Sequence, residues 1–158
     1  MLGAIPNPKK TITIDYPLSQ VKIGVERISK QAKKYEFEKS NPTFNQYTFK
    51  ATETLSLGVF IDINLNSISD TKTEITIEIR RKIGSFDQAH EVQKANEHIS
   101  KLLEVIANGI NLNESEFADM LNKEEIELKA KKKKKQIRRL IIWGVILLIL
   151  FLLNRFNK

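Results

Sequence analysis

The sequence predicts an α+β fold, in which an antiparallel sheet of about five strands is covered by one long helix, in the order β-α-β-β-β-β-α. Two patterns predict this fold. Five stretches alternate polar and apolar residues, which is typical of strands with one buried face. A later stretch repeats apolar residues at spacings of three and four, which is typical of a helix that buries one side. A charged helical stem and one C-terminal transmembrane helix are expected to follow this domain.

The first strand is predicted at 11–16, where Ile12, Ile14 and Tyr16 alternate with polar residues until Pro17 ends the pattern. Four more alternating stretches follow, at 35–38, 46–51, 59–66 and 75–80. Because these four stretches succeed one another along the chain, we expect an antiparallel meander with one apolar face.

Two helices are expected to pack on this sheet. The first begins after Ser19, a favourable N-cap, and its apolar stripe consists of Val21, Gly24, Val25, Ile28, Ala32 and Tyr35. The second runs from the capping pair Ser85 and Gln88 to Asn108-Gly109. Its stripe, which is expected to cover the sheet, consists of Val92, Ala95, Ile99, Leu102, Leu103, Ile106 and Ile110.

The apolar run 140–153 predicts a membrane anchor, because its fourteen residues carry no charge. At 1.5 Å per residue the run covers about 21 Å, against a hydrocarbon core of about 30 Å. Arg139 and Arg155 can extend the span by snorkelling, and we expect Trp143 and Arg155 to anchor it at the two interfaces. The alternative is a buried helix of a soluble protein, but the basic residues beside the run favour lipid.

A basic cluster precedes the run and consists of Lys131, Lys132, Lys133, Lys134, Lys135, Arg138 and Arg139. Eight Lys and Arg residues lie between Lys129 and Arg139, against two after the run. The positive-inside rule therefore predicts a single-pass protein with its N-terminal domain in the cytoplasm, most simply at a bacterial inner membrane. We expect the cluster to contact anionic lipid headgroups. The first ten residues lack the apolar core of a secretory signal peptide.

The distribution of charge argues against a nucleic-acid partner. Residues 1–110, the expected cytoplasmic domain, carry 15 Lys and Arg against 13 Asp and Glu. The positive excess lies in residues 129–158, which carry ten basic residues and no acidic one. A nucleic-acid footprint needs basic residues spread over a folded face. The remaining segments are predicted as a stem at 111–139, the anchor at 140–153 and a short tail at 154–158.

No catalytic, cofactor-binding or metal-binding residue is predicted, and no cofactor is expected. The chain has no Cys and no Gly-rich phosphate loop. Its two histidines, His90 and His98, are eight residues apart, whereas metal-binding pairs on a helix are four apart. Both histidines are expected to be solvated.

Phe60 is the unusual residue of the sheet, because it lies on the polar side of its strand. Its expected neighbours are Thr48, Lys50 and Thr76. An exposed aromatic side chain in that position is a candidate partner contact.

The order of elements resembles a shortened helix-grip domain of the START-like kind over residues 11–108. ITIDYPLSQVKIGVERI resembles the opening of that family, and EITIEIRR followed by the long amphipathic helix resembles its close. The extra strands and the second small helix of a full member are missing from the predicted elements. A TBP-like half-sheet has the same element order. Separately, EVIANGINLNESEFADML resembles the short oligomerisation module of the SHOCT type. None of these resemblances implies catalytic residues.

The sequence therefore predicts a non-enzymatic, tail-anchored membrane protein. Its small cytoplasmic domain is expected to bind an unknown protein partner or to assemble with copies of itself. The alternative is a helix-grip-like domain, tethered to the membrane, that binds a small hydrophobic ligand or a lipid between the sheet and the second helix. An enzyme is a third, less favoured class.

Overall fold

The computed structural model describes residues 5–52, 58–86 and 88–156, without the side chains of 124 and 144–156. The chain divides into two units, one that ends at Asn113 and one that begins at Glu114. The first unit holds the sheet and three helices, and the second is a single helix.

Five strands form one antiparallel sheet, as predicted. They are β1 (Lys9–Ile14), β2 (Tyr35–Asn41), β3 (Gln46–Ala51), β4 (Val59–Ser69) and β5 (Lys72–Arg81). Their order across the sheet is β1-β5-β4-β3-β2. The four consecutive strands β2 to β5 therefore form the predicted meander, and β1 pairs with β5 to form one edge of the sheet. A short 3₁₀ turn, Pro42–Phe44, joins β2 to β3.

The single helix predicted after Ser19 is instead two helices, α1 (Leu18–Glu26) and α2 (Ile28–Gln31). Pro17, not Ser19, occupies the N-cap. Arg27 lies between the two helices and is buried. Its guanidinium donates hydrogen bonds to the carbonyl oxygens of Gly109 (2.8 Å) and Leu112 (2.7 Å). The second small helix expected to be missing from a helix-grip domain is therefore present, as α2.

The long helix α3 (Ala89–Asn111) follows β5, as predicted, but it does not end at Asn108-Gly109. Gly109 is a buried interior position of the helix. A Cβ atom on Gly109 would lie 3.0 Å from the Cα of Gly24 and 2.9 Å from Nε2 of Gln31. This glycine thus allows α3 to approach α1 closely, which is a different role from a helix stop.

One hydrophobic core lies between α3 and the inner face of the sheet. The most deeply buried side chains come from both layers and include Phe49, Ile61, Ile77, Leu102 and Ile106. Alternate residues of β4 and β5 point into this core, which explains the alternation seen in the sequence. Full burial of such side chains stabilises a fold by about 1.5–3 kcal/mol each.

The second unit is α4 (Glu114–Phe156), a continuous helix of 43 residues and about 65 Å in length. Its first turn carries Glu114 and Glu116, which favour a helix N-terminus. Ion pairs one turn apart join Glu125 to Lys129 and Glu127 to Lys131. The lysine cluster therefore does not interrupt the helix.

Among the side chains that the structure describes, no helix has a stretch long and apolar enough to cross a membrane. Of the predicted anchor 140–153, the side chains from Gly144 onward lie outside that description. The transmembrane segment, and the division of α4 into stem, anchor and tail, stay predictions.

The contact between α1 and α3 leads to a first prediction. Changing Gly109 to Ala places a methyl group against the backbone of Gly24, and we expect a loss of about 1–2 kcal/mol of stability, because overpacking outweighs the gain in helix propensity. Asn108→Ala, at the neighbouring exposed position, is the control and is expected to be neutral or slightly stabilising. Thermal and denaturant unfolding of both variants measure this difference, and equal stabilities would contradict the close contact.

Candidate functional site

The inner face of the sheet is incompletely covered at its β2 edge. Tyr35, the first residue of β2, is fully buried, and its cross-strand neighbour on β3 is Ala51. Two residues further along the same face, Phe37 exposes 52% of its surface. Phe37 packs edge-to-face on buried Phe49, with ring centroids 5.8 Å apart. The helices therefore cover the inner face as far as Tyr35 but leave the next aromatic position open.

A polar pair is buried beside this opening. The hydroxyl of Tyr35 and Nδ1 of His98 are 3.0 Å apart, and the two rings meet edge to face. His98 is only 6% exposed, so the prediction that it is solvated was wrong, whereas His90 is exposed as predicted. The reason is helical spacing: His98 lies on the buried stripe of α3, between Ala95 and Leu102.

Tyr47 lies on the inner face of β3, two residues from Phe49, and is also buried. Burial raises the pKa of its phenol, and the nearby Glu26 carboxylate raises it further. The neutral hydroxyl is therefore the stable form at physiological pH, which suits an apolar surface with a few polar groups.

Phe60 lies on the outer face of β4, the central strand. Its cross-strand neighbours are Lys50 on β3, as predicted, and Arg80 on β5, in place of the predicted Thr76. The Arg80 guanidinium lies 5.5 Å from the ring centroid and the Lys82 ammonium 5.7 Å, within the range of cation–π attraction.

The cations around Phe60 also form ion pairs. Lys50 binds Glu38 at 3.0 Å, and this hydrogen bond raises the pKa of the Lys50 ammonium. Arg80 binds Asp62, and that hydrogen bond raises the pKa of the guanidinium. Basic and acidic side chains thus lie together around the Phe60 ring on the outer face. Because the positive charges are paired with negative ones, this surface does not favour a polyanionic partner.

The predicted membrane-proximal residues all lie on α4. The side chains of the basic cluster from Lys131 to Arg139 are exposed, and Trp143 exposes 64% of its surface. Arg155, the other predicted interface anchor, lies among the side chains that are not described. Among the described residues no group of acidic residues and histidines is arranged to hold a metal ion.

No protein-family model and no curated protein matches the chain. A START superfamily protein from Mycobacterium smegmatis is 9% identical with a TM-score of 0.46, and the match covers 64% of this chain and 93% of that one. The Zhui aromatase/cyclase from Streptomyces sp. R1128 is 8% identical with a TM-score of 0.41, covering 73% and 93%. A protein from Bacillus halodurans is 12% identical with a TM-score of 0.43, covering 68% and 99%.

The helix-grip resemblance is visible in this chain's own topology. A pair of helices lies between β1 and β2, a meander follows, β1 and β2 form opposite edges, and the long α3 packs on the inner face. The names of the similar structures describe those proteins and assign no activity to this one.

The Tyr35–His98 pair leads to a second prediction. Tyr35→Phe removes a buried hydrogen bond, and we expect a loss of about 1–3 kcal/mol because the imidazole remains desolvated. The control is Tyr16→Phe, which removes an exposed hydrogen bond to Asn111 and is expected to cost about 0.5 kcal/mol or less. Chemical denaturation measures both, and similar small losses would show that the buried pair contributes nothing to stability.

Proposed function

We propose that this protein is a membrane-tethered binding protein, without catalytic activity, whose domain holds a small hydrophobic ligand or a lipid. The ligand lies against the inner face of the sheet beside the exposed Phe37, whose ring packs on buried Phe49. The observation that carries the proposal is the half-exposed Phe37 ring, whose aromatic neighbours Tyr35 and Phe49 are buried.

Three features support this site. An aromatic ring that is half buried on one side offers apolar area to a ligand without unfolding the core. Polar groups on this face are few: the phenols of Tyr35 and Tyr47 belong to it, and the Tyr35 hydroxyl pairs with His98. Ligand sites are typically apolar surfaces with a small number of such polar groups. The element order, which resembles a helix-grip domain, agrees with a ligand between sheet and helices.

The tether is the C-terminal helix α4. Its continuous backbone and exposed basic cluster support the proposal that residues 140–153 enter the membrane and that Lys131–Lys135 lie at the cytoplasmic headgroups. A domain held at the cytoplasmic surface of a bacterial inner membrane meets a supply of lipids and lipophilic molecules.

A second candidate function is the binding of a protein partner at Phe60, as the sequence predicted. The ring flanked by Arg80 and Lys82 supports it, because aromatic and arginine side chains are enriched where interfaces are strongest. This function uses the outer face and does not exclude a ligand on the inner face.

The third prediction tests the ligand site. Phe37→Ser is expected to weaken the binding of a fluorescent fatty-acid analogue by at least about tenfold, because about 1.4 kcal/mol of aromatic contact is lost. Phe44→Ser is the matched control, since Phe44 is 65% exposed but lies in the 3₁₀ turn outside the sheet. Titrations use the full chain in nanodiscs, with protein-free nanodiscs subtracted. Equal affinities of the wild type and both variants would contradict the site.

The fourth prediction tests the tether. The protein is expected to stay in the membrane pellet after an alkaline carbonate wash, and a reporter fused after Lys158 is expected outside the cytoplasm. Changing Lys131–Lys135 to Gln is expected to mix the two orientations, because the positive charge that fixes them is lost. Release of the full chain into the soluble fraction would overturn the anchor without touching the ligand site.

A further inference from the structure

Two neighbouring cross-strand rows carry most of the charged residues on the outer face of the sheet. Glu38 lies in the β2 bulge and binds Lys50, and Glu74 lies further along β5. The first row runs across four strands and consists of Glu36, Lys50, Phe60 and Arg80. The second row lies two residues further along each strand, beyond the bulge in β2, and consists of Lys39, Thr48, Asp62, Glu78 and Lys9. Rows so spaced are about 7 Å apart.

The sign of the charge changes between the two rows on both sides of the central strand. On β2, Glu36 of the first row is followed by Lys39 of the second. On β5, Arg80 of the first row is preceded by Glu78 of the second. The two rows carry four basic and three acidic residues, and the sign changes between the rows on β2 and β5.

This pattern is complementary to itself under one rotation. A twofold axis that crosses the strands between the two rows lays the first row of one copy over the second row of the other. Arg80 then faces Glu78 of the second copy, and Glu36 faces Lys39 of the second copy. On β4, each Phe60 ring lies over Asp62 of the second copy, close to the axis.

The other twofold arrangement of the same faces is repulsive. An axis that runs along β4 would place Arg80 over Lys50 and Lys9 over Lys39, so like charges would meet. The charge pattern thus favours the first of these two arrangements over the second.

Ion pairs within one copy leave capacity for pairs between copies. A carboxylate accepts about four hydrogen bonds and a guanidinium donates five. Arg80, which binds Asp62, can therefore take a further partner.

The edges of the sheet are poorly suited to association. β2 has a bulge between Phe37 and Lys39, and β1 follows Pro6 and Pro8. Bulges, lysines and prolines at sheet edges oppose the addition of a further strand.

We propose that two copies of the chain associate through the outer faces of their sheets, about an axis that crosses the strands between the two rows. This association goes beyond ligand binding on the inner face and stands without it. It commits the Phe60 surface to a second copy as its partner.

The chain has no cysteine, so a single introduced cysteine can be cross-linked only to the same cysteine of a second copy. Lys9 and Thr13 are both exposed, on the outer face of β1. Under the proposed axis, two copies of residue 9 are offset by about 7 Å along the strands and two copies of residue 13 by about 34 Å. A short bis-maleimide is expected to cross-link Lys9→Cys in the full-length protein in detergent, but not Thr13→Cys. No cross-link at residue 9, or equal cross-linking at both positions, would overturn the proposal.

Charge reversal on β2 supplies the second measurement, since both residues are exposed. Lys39→Glu turns two symmetry-related attractions into repulsions and is expected to lower dimer affinity about tenfold. Adding Glu36→Lys restores the opposite signs and is expected to restore the affinity, as followed by light scattering at several concentrations. Equal dimer affinity of all three proteins, or no recovery in the double variant, would overturn the arrangement, while unchanged melting temperatures show that the fold is intact.

Discussion

The packing of α3 across the inner face of the sheet is the contact on which the rest of the domain depends. It buries the alternating residues of β4 and β5 on one side and the stripe of α3 on the other. Because α1 must lie beside α3, the two helices meet at Gly24 and Gly109, where there is no room for a side chain. Arg27 then satisfies carbonyl groups at the end of α3 from the break between α1 and α2. The three helices α1, α2 and α3 therefore cover the sheet together, and the hydrogen bonds of Arg27 join them at the end of α3.

The limits of this cover define the two surfaces that we connect with function. On the inner face the cover ends between Tyr35 and Phe37, which leaves an aromatic opening beside a buried polar pair. On the outer face, Phe60 lies among charged side chains that form ion pairs, such as Lys50 with Glu38 and Arg80 with Asp62. We propose that the inner face binds a small molecule and that the outer face binds a protein.

Local sequence patterns predicted the strands and the two long helices, because alternation and helical spacing report directly on burial. They failed where the local structure is determined by contacts with residues far away in the sequence. The break between α1 and α2 at Arg27 could not be predicted from neighbouring residues, because the hydrogen-bond partners of Arg27 lie more than eighty residues away. Asn108-Gly109 has the chemistry of a helix end, yet the approach of α1 requires a glycine inside the helix. The spacing of two residues from Tyr35 predicted that Phe37 lies on the inner face. Its exposure could not be predicted, because it depends on how far the helices extend over the sheet. The burial of His98 was signalled by its spacing on α3.

We propose that a small hydrophobic molecule binds at the open end of the inner face. Photolabelling with a photoreactive fatty acid tests this proposal most directly. After illumination of membranes that contain the full-length protein, trypsin releases the β2–β3 region as peptides 35–39 and 40–50. We expect adducts on these peptides that an excess of unlabelled fatty acid removes, in addition to any adducts on the C-terminal apolar run. Labelling confined to residues 140–153, with peptides 35–39 and 40–50 unmodified, would contradict it.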